Sequence, residues 1–152
     1  MNDSSRPVVD SPEPSVAEHV QRYLATDGAS GYREGGMPNL LLTTVGRRTG
    51  TPRRTALFFD EDDGRYVLVA SHFAGGPRHP SWYLNLVANP DVQVQVRRER
   101  FAARARTATG AERERLWRQM VAKFPPYRTY QAHSTRVIPV VVLERVGQRG
   151  AG

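Results

Sequence analysis

Residues 92–106 read VQVQVRRERFAARAR. Val92, Val94 and Val96 fall on one side of an extended chain and Gln93 and Gln95 on the other, because successive strand side chains point to opposite faces. After RRER the two-residue period resumes, with Phe101, Ala103 and Ala105 opposing Arg100, Arg104 and Arg106. Strands with one face on a core and one toward water read this way.

Upstream, HPSWYLNLVANP (79–90) places Pro80 and Ser81 at a helix start, with Trp82, Leu86 and Asn89 at helical spacing until Pro90 stops it. LLLTTV (40–45), ALFF (56–59) and YVLVA (66–70) predict three sequential antiparallel strands, DEDDG (60–64) turning the chain between the last two. Downstream, Thr109 and Glu112 have the spacing of a capping box. They open a helix with Leu116, Met120 and Phe124 on one stripe, ended by Pro125 and Pro126. PYRTYQAH suggests a second short helix, and IPVVVL (138–143) a buried last strand. Near the N-terminus Val16, Val20, Tyr23 and Leu24 share one helical stripe.

The pattern predicts a mainly β chain with helices (α+β). No βαβ repeat occurs, so a doubly wound sheet is not expected and a small β-barrel with packed helices is. With 152 residues there is room for one domain. Residues 1–15, rich in Pro, Ser and Asp, read as a flexible arm, 16–146 as the folded unit and 147–152 as a flexible tail.

The chain has no cysteine, which removes disulfides, thiolate nucleophiles and thiolate metal sites. No HExxH or HxH spacing points to a metal, and no elbow motif surrounds Ser71, Ser81 or Ser134. With neither signal peptide nor membrane-length apolar run, a cytoplasmic protein is expected. The net charge is +7, and Lys123 is the only lysine among 22 basic residues. Such a surface favours anionic partners: a phosphorylated cofactor, nucleic acid or an anionic membrane.

GRRTGTPRR (46–54) concentrates this charge. Its glycines let backbone approach an anion, and the forks of Arg47, Arg48, Arg53 and Arg54 match phosphate or carboxylate oxygens. It lacks the order of a P-loop or a dinucleotide fingerprint, and a solvated turn is the plain alternative. SHFAGGPRHPSW (71–82) is a second glycine-bearing connector that runs into a helix start, where free N–H groups suit an anion. Tyr127, Tyr130 and His133 recur at steps of three, so one helical face could offer two phenols and an imidazole to a substrate, or simply pack.

Taken together, LLLTTVGRRTGTPRRTALFF (40–59), VLVASHFAGGPRHPSWYLNLVANPDVQVQV (67–96) and YRTYQAHSTRVIPVVVLE (127–144) resemble the deazaflavin (F420)-dependent nitroreductase family, F420H2-dependent quinone and nitro reductases of actinobacteria. The resemblance implies a split β-barrel similar to that of FMN-binding flavoproteins, whose side carries the isoalloxazine-like ring. It makes Arg47, Arg48 and Arg53, with Arg54 beside them, contacts for the cofactor's phosphate and acidic tail. Ser71, Gly75, Gly76, Pro80, Trp82 and Tyr83 become the wall around the phospholactyl part and the deazaflavin edge. Tyr127 and Tyr130 resemble the tyrosines on the substrate side, Tyr130 stabilising developing charge with Tyr127 or His133 assisting.

Three departures bear on the substrate spectrum. Phe58 stands where a nitroimidazole-activating member has tyrosine, His133 replaces another aromatic residue, and ASHFAGG replaces ASKGG-like text. The implied function is hydride transfer from reduced F420 to a quinone, nitroaromatic or activated alkene. An FMN-binding reductase, a non-enzymatic cofactor carrier and a nucleic-acid-binding barrel using arginines 97–106 are the alternatives, although nucleic acid is not the expected partner. The implied partner is a small hydride acceptor, and the protein a monomer or homodimer. Peripheral contact with the inner face of the membrane, through the N-terminal helix, stays open.

Overall fold

The computed structural model describes residues 6–71 and 76–147. Strand β1 (Val9–Asp10) leads into helix α1 (Pro14–Thr26), and a short β2 (Arg33–Glu34) precedes β3 (Met37–Val45). Then come β4 (Pro52–Phe58), β5 (Asp60–Asp62), β6 (Arg65–Val69) and helix α2 (Ser81–Ala88). β7 (Asp91–Val96) and β8 (Glu99–Thr107) are followed by α3 (Gly110–Lys123), α4 (Pro126–Ala132) and β9 (Val140–Arg145).

β7 and β8 pair antiparallel, Val94 opposite Phe101, as their alternation requires. Leu40–Leu42 and Val140–Leu143 do not alternate because both of their faces are covered. Leu40 and Leu42 join Leu68, Val94, Val141 and Leu143 in a central cluster, while Leu41 packs outward onto Val20 and Tyr23 of α1. Val140 and Val142 face a third cluster with Val67, Leu116 and Met120 beneath α3. Each fully buried aliphatic side chain contributes about 1.5–3 kcal/mol.

The α+β expectation holds, but the split barrel does not form. The strands run in one open order, β1-β4-β3-β7-β8-β9-β6-β5, with β2 on β3. Closure would require β4 to bond to β6. Instead β1 takes the outer edge of β4 at Arg53 and Arg54, and β5 takes that of β6 at Arg65, Tyr66 and Val67. Leu57 of β4 and Val69 of β6 both line a cleft.

The three-strand reading of 40–70 is corrected in the same place. β3 and β4 do pair, yet DEDDG closes a hairpin between β5 and β6, and β6 pairs onward with β9. The capping box fails as well. Thr109 makes no side-chain cap, and the Glu112 carboxylate, which would have returned to the Thr109 N–H, is drawn onto Arg106 at 2.6 Å.

Candidate cofactor cleft

The cleft encloses about 750 Å³, within the usual range for a small-molecule site. Its floor is β4 from Arg53 to Leu57, one end is the β3–β4 turn with Arg47 and Arg48, and Val69 and Ser71 form the opposite side. Pro80, Ser81, Trp82 and Asn85 of the α2 start supply a third wall, and Asp10 to Glu13 a fourth.

The turn takes its shape from two glycines. A Cβ on Gly46 would stand 2.9 Å from the Thr51 carbonyl, and Gly50 has φ +75°. Gly46 N–H donates to Thr51 and Gly50 N–H to Gly46, which fixes the loop that carries the arginines.

Those arginines divide into two kinds. Arg47 is latched to α2: its backbone N–H and its Nη1 both donate to Asn85 Oδ1, at 3.1 and 2.9 Å. Asn85 is buried and donates in turn to Thr44 Oγ1. Arg54 donates to Asp10 Oδ1 through Nε and Nη2 and is largely neutralised there. Arg48 and Arg53 are exposed and have no hydrogen-bond or ion-pair partner among the described residues. Two free guanidinium groups at the rim of a cleft with apolar walls can hold the phosphate or carboxylates of a ligand whose body lies inside.

At the α2 end, Pro80 is buried and Trp82 half-buried. Tyr83 and Leu84 return their N–H groups to the Pro80 carbonyl. Tyr83 itself turns away from the cleft, its hydroxyl 2.9 Å from Thr107 Oγ1 and its ring 5.0 Å from His79. Gly76 does not line the cleft, and its carbonyl accepts from Arg136. Gly75 lies outside the described residues.

The second set of expected residues gathers elsewhere. Phe58 follows Leu57 on β4 but faces the other way, its ring 5.0 Å from Phe124 and against Gly35. Tyr127 is 4% exposed, packed on Phe124 and Trp117, and burial pushes its hydroxyl pKa up. Tyr130 is half-buried beside it and His133, at the end of α4, is exposed. None of these four lines the cleft, so cleft wall and aromatic face are joined through the consecutive β4 residues Leu57 and Phe58.

Asn85, Ser81 and the Asp10–Glu13 segment were not anticipated. A lone asparagine within SWYLNLVA was the one available signal, since a polar side chain among buried apolar neighbours needs a partner.

The family model described as F420H(2)-dependent quinone reductase matches residues 15–145. An F420H(2)-dependent quinone reductase of Mycobacterium tuberculosis is 42% identical over 84% of this chain and 87% of its own. A solved F420-H2 dependent reductase is 42% identical with TM-score 0.65, over 70% of this chain and 94% of that one. A domain-swapped dimer is 40% identical with TM-score 0.68, over 88% and 100%. A heme storage protein of Vibrio cholerae, 18% identical over 91% of each chain with TM-score 0.55, shares the fold alone. With the matched segment spanning β3, β4, α2 and the turn that carries the free arginines, the chain belongs to the F420H(2)-dependent quinone reductase family.

Proposed function

We propose that the protein holds reduced F420 in this cleft and reduces a quinone or nitroaromatic acceptor. The observation that carries the reading is the pair of cations without a partner among the described residues, Arg48 and Arg53, at the mouth of an apolar-walled cleft of about 750 Å³. A cofactor with a phosphate and an acidic tail fits that chemistry. When bound, reduced F420 supplies a hydride from C5 of its deazaflavin, while the protein contributes position and electrostatics.

Arg48 and Arg53 bind the anionic tail. Arg47 keeps the turn docked on α2, and Arg54 joins only in competition with Asp10. Ser71, Pro80 and Trp82 wall the ring, with Gly76 and Tyr83 behind them. On the acceptor side Tyr130 is the donor of choice, because Tyr127 lies beneath it and His133 is solvated. Its hydroxyl would stabilise the hydroquinone anion that forms when a quinone takes up the hydride, and a single proton then completes the hydroquinone.

A homodimer belongs to this reading, supported by the domain-swapped dimer of the 40% identical relative. Among the described residues no helix is long and apolar enough to cross a membrane. The apolar stripe of α1 packs on the sheet through Val20 and Tyr23, so any contact with a membrane surface would use its polar face.

The test is anaerobic stopped-flow oxidation of bound, reduced F420 by menadione, in wild type and Tyr130→Phe. Wild type should turn over, and the variant should transfer hydride roughly a hundredfold more slowly with F420 affinity unchanged. An unchanged rate would remove Tyr130 from the assignment, and no oxidation by wild type would overturn the function.

A further inference from the structure

Arg136 lies between α4 and β9 and belongs to no set discussed so far. Its guanidinium is half-buried and meets no carboxylate among the described residues. It is surrounded instead by four neutral acceptors. Nε donates to the Gly76 carbonyl at 3.0 Å and Nη2 to the Ser71 carbonyl at 2.8 Å. Nη1 donates to the Ala70 carbonyl at 3.2 Å and to His79 Nδ1 at 3.1 Å.

These acceptors stand on both sides of the connector between β6 and α2. Ala70 and Ser71 end the strand side, and Gly76 and His79 precede Pro80. Arg136 is itself fixed from the other direction. Gln131 of α4 donates through Nε2 to the Arg136 carbonyl, and its Oε1 accepts from Ile138 N–H, both at 2.8 Å. A continuous chain of bonds therefore runs from the helix bearing Tyr130, through Gln131 and Arg136, to Ser71 and the foot of α2.

We propose that Arg136 is a positioning residue that sets the cleft-lining residues Ser71, Pro80 and Trp82 at a fixed distance from the aromatic face of α4. The proposal rests on the reading of the cleft as the F420 site. Arginine suits this position because three of its nitrogens reach four acceptors in one plane-like fork, whereas an ammonium is a compact charge with three donors. A half-buried cation without a counter-ion is costly, so its retention needs every one of those bonds.

The arrangement also dictates the state of His79. A guanidinium only donates, so Nδ1 must carry a lone pair and the proton must sit on Nε2. Burial and the neighbouring Arg136 charge both lower the imidazole pKa, which favours the same neutral form.

The experiment uses the full chain with Arg136→Lys and Arg136→Ala, following F420 dissociation constants, menadione kinetics and melting temperature, with ¹⁵N spectra of His79. Arg136→Lys should keep the charge yet weaken F420 binding about tenfold, the scale of one lost charge-assisted bond. kcat at saturating cofactor should change far less than KM. Added guanidinium ion, at concentrations harmless to wild type, should recover part of the affinity of Arg136→Ala, which a purely structural loss would not allow. In wild type the His79 proton should be on Nε2, and its signals should move in Arg136→Lys. If Arg136→Lys binds F420 as wild type does, or affinity is lost only in proportion to folded protein, the inference is overturned. If neither variant folds, a proton found on Nδ1 of wild-type His79 overturns it, and one found on Nε2 supports it. Wild type that fails to bind F420 would bring down the cleft reading instead.

Discussion

Arg54 faces Asp10 at 3.1 Å and Arg47 is drawn onto Asn85, whereas Arg48 and Arg53 have no partner among the described residues. Free guanidinium groups gain most from an incoming anion, because no existing bond must break first. Replacing Arg48 with alanine should therefore raise the F420 dissociation constant at least tenfold, given about 1.5–3 kcal/mol for a charge-assisted bond. Saturated turnover should fall much less, since in the proposed arrangement Arg48 meets the tail and not the reacting ring. Arg54→Ala should weaken F420 less than Arg48→Ala and act first on stability, by leaving Asp10 without its guanidinium. Calorimetric titration of both variants checks the order, and a larger effect at Arg54 would reverse the assignment. The sequence displayed all four arginines around their glycines but not which were occupied. Asp10 lies 44 residues before Arg54 and Asn85 lies 38 after Arg47, and no local pattern reports such pairings.

Helix α1 is tied to the sheet and to the β7–β8 turn by the side chain of Tyr23. Tyr23 is fully buried, donates to the Asn39 carbonyl at 3.0 Å and accepts from Arg97 N–H at 2.7 Å. Tyr23→Phe would keep the ring but strand two backbone groups, at a cost of about 1–3 kcal/mol. Denaturant melts should show that loss while F420 binding by the folded protein is unchanged; a change in binding without a change in stability would contradict it. The helical stripe that contains Tyr23 was legible, as were the paired strands β7 and β8, because both follow from local periodicity. Strand partners were not. YVLVA pairs with β9, Val67 opposite Val142, and periodicity says only that a segment is extended. The aromatic steps at Tyr127, Tyr130 and His133 were read as one helical face, but α4 grades them from buried to exposed, since only its inner side meets Phe124 and Trp117.

At the scale of the whole molecule, the sheet stays open between β4 and β6, and Leu57 and Val69 of those two strands line the cleft. A resemblance in sequence carried the cofactor's identity across but could not reveal that β1 and β5 occupy the edges a barrel would need. Two groups of side chains then set the pH response. The folded-state pKa of His79 lies below its ordinary 6.5, so the unfolded chain binds more protons and stability should decline as pH falls through about 6.5. Asp62 beside Arg115 and Glu112 beside Arg106 are also depressed, from 3.8 and 4.5, so their contribution is complete above those values and lost below them. Melting temperature should therefore drop in two stages, and His79→Asn should remove the upper stage alone; its persistence in that variant would assign it elsewhere. The central claim is that this cleft is built for F420, and isothermal titration of the purified apoprotein with F420 and with FMN tests it most directly. F420 should bind at least about tenfold more tightly, because in the proposed arrangement its longer anionic tail engages both Arg48 and Arg53. Equal affinities, or tighter binding of FMN, would contradict the account.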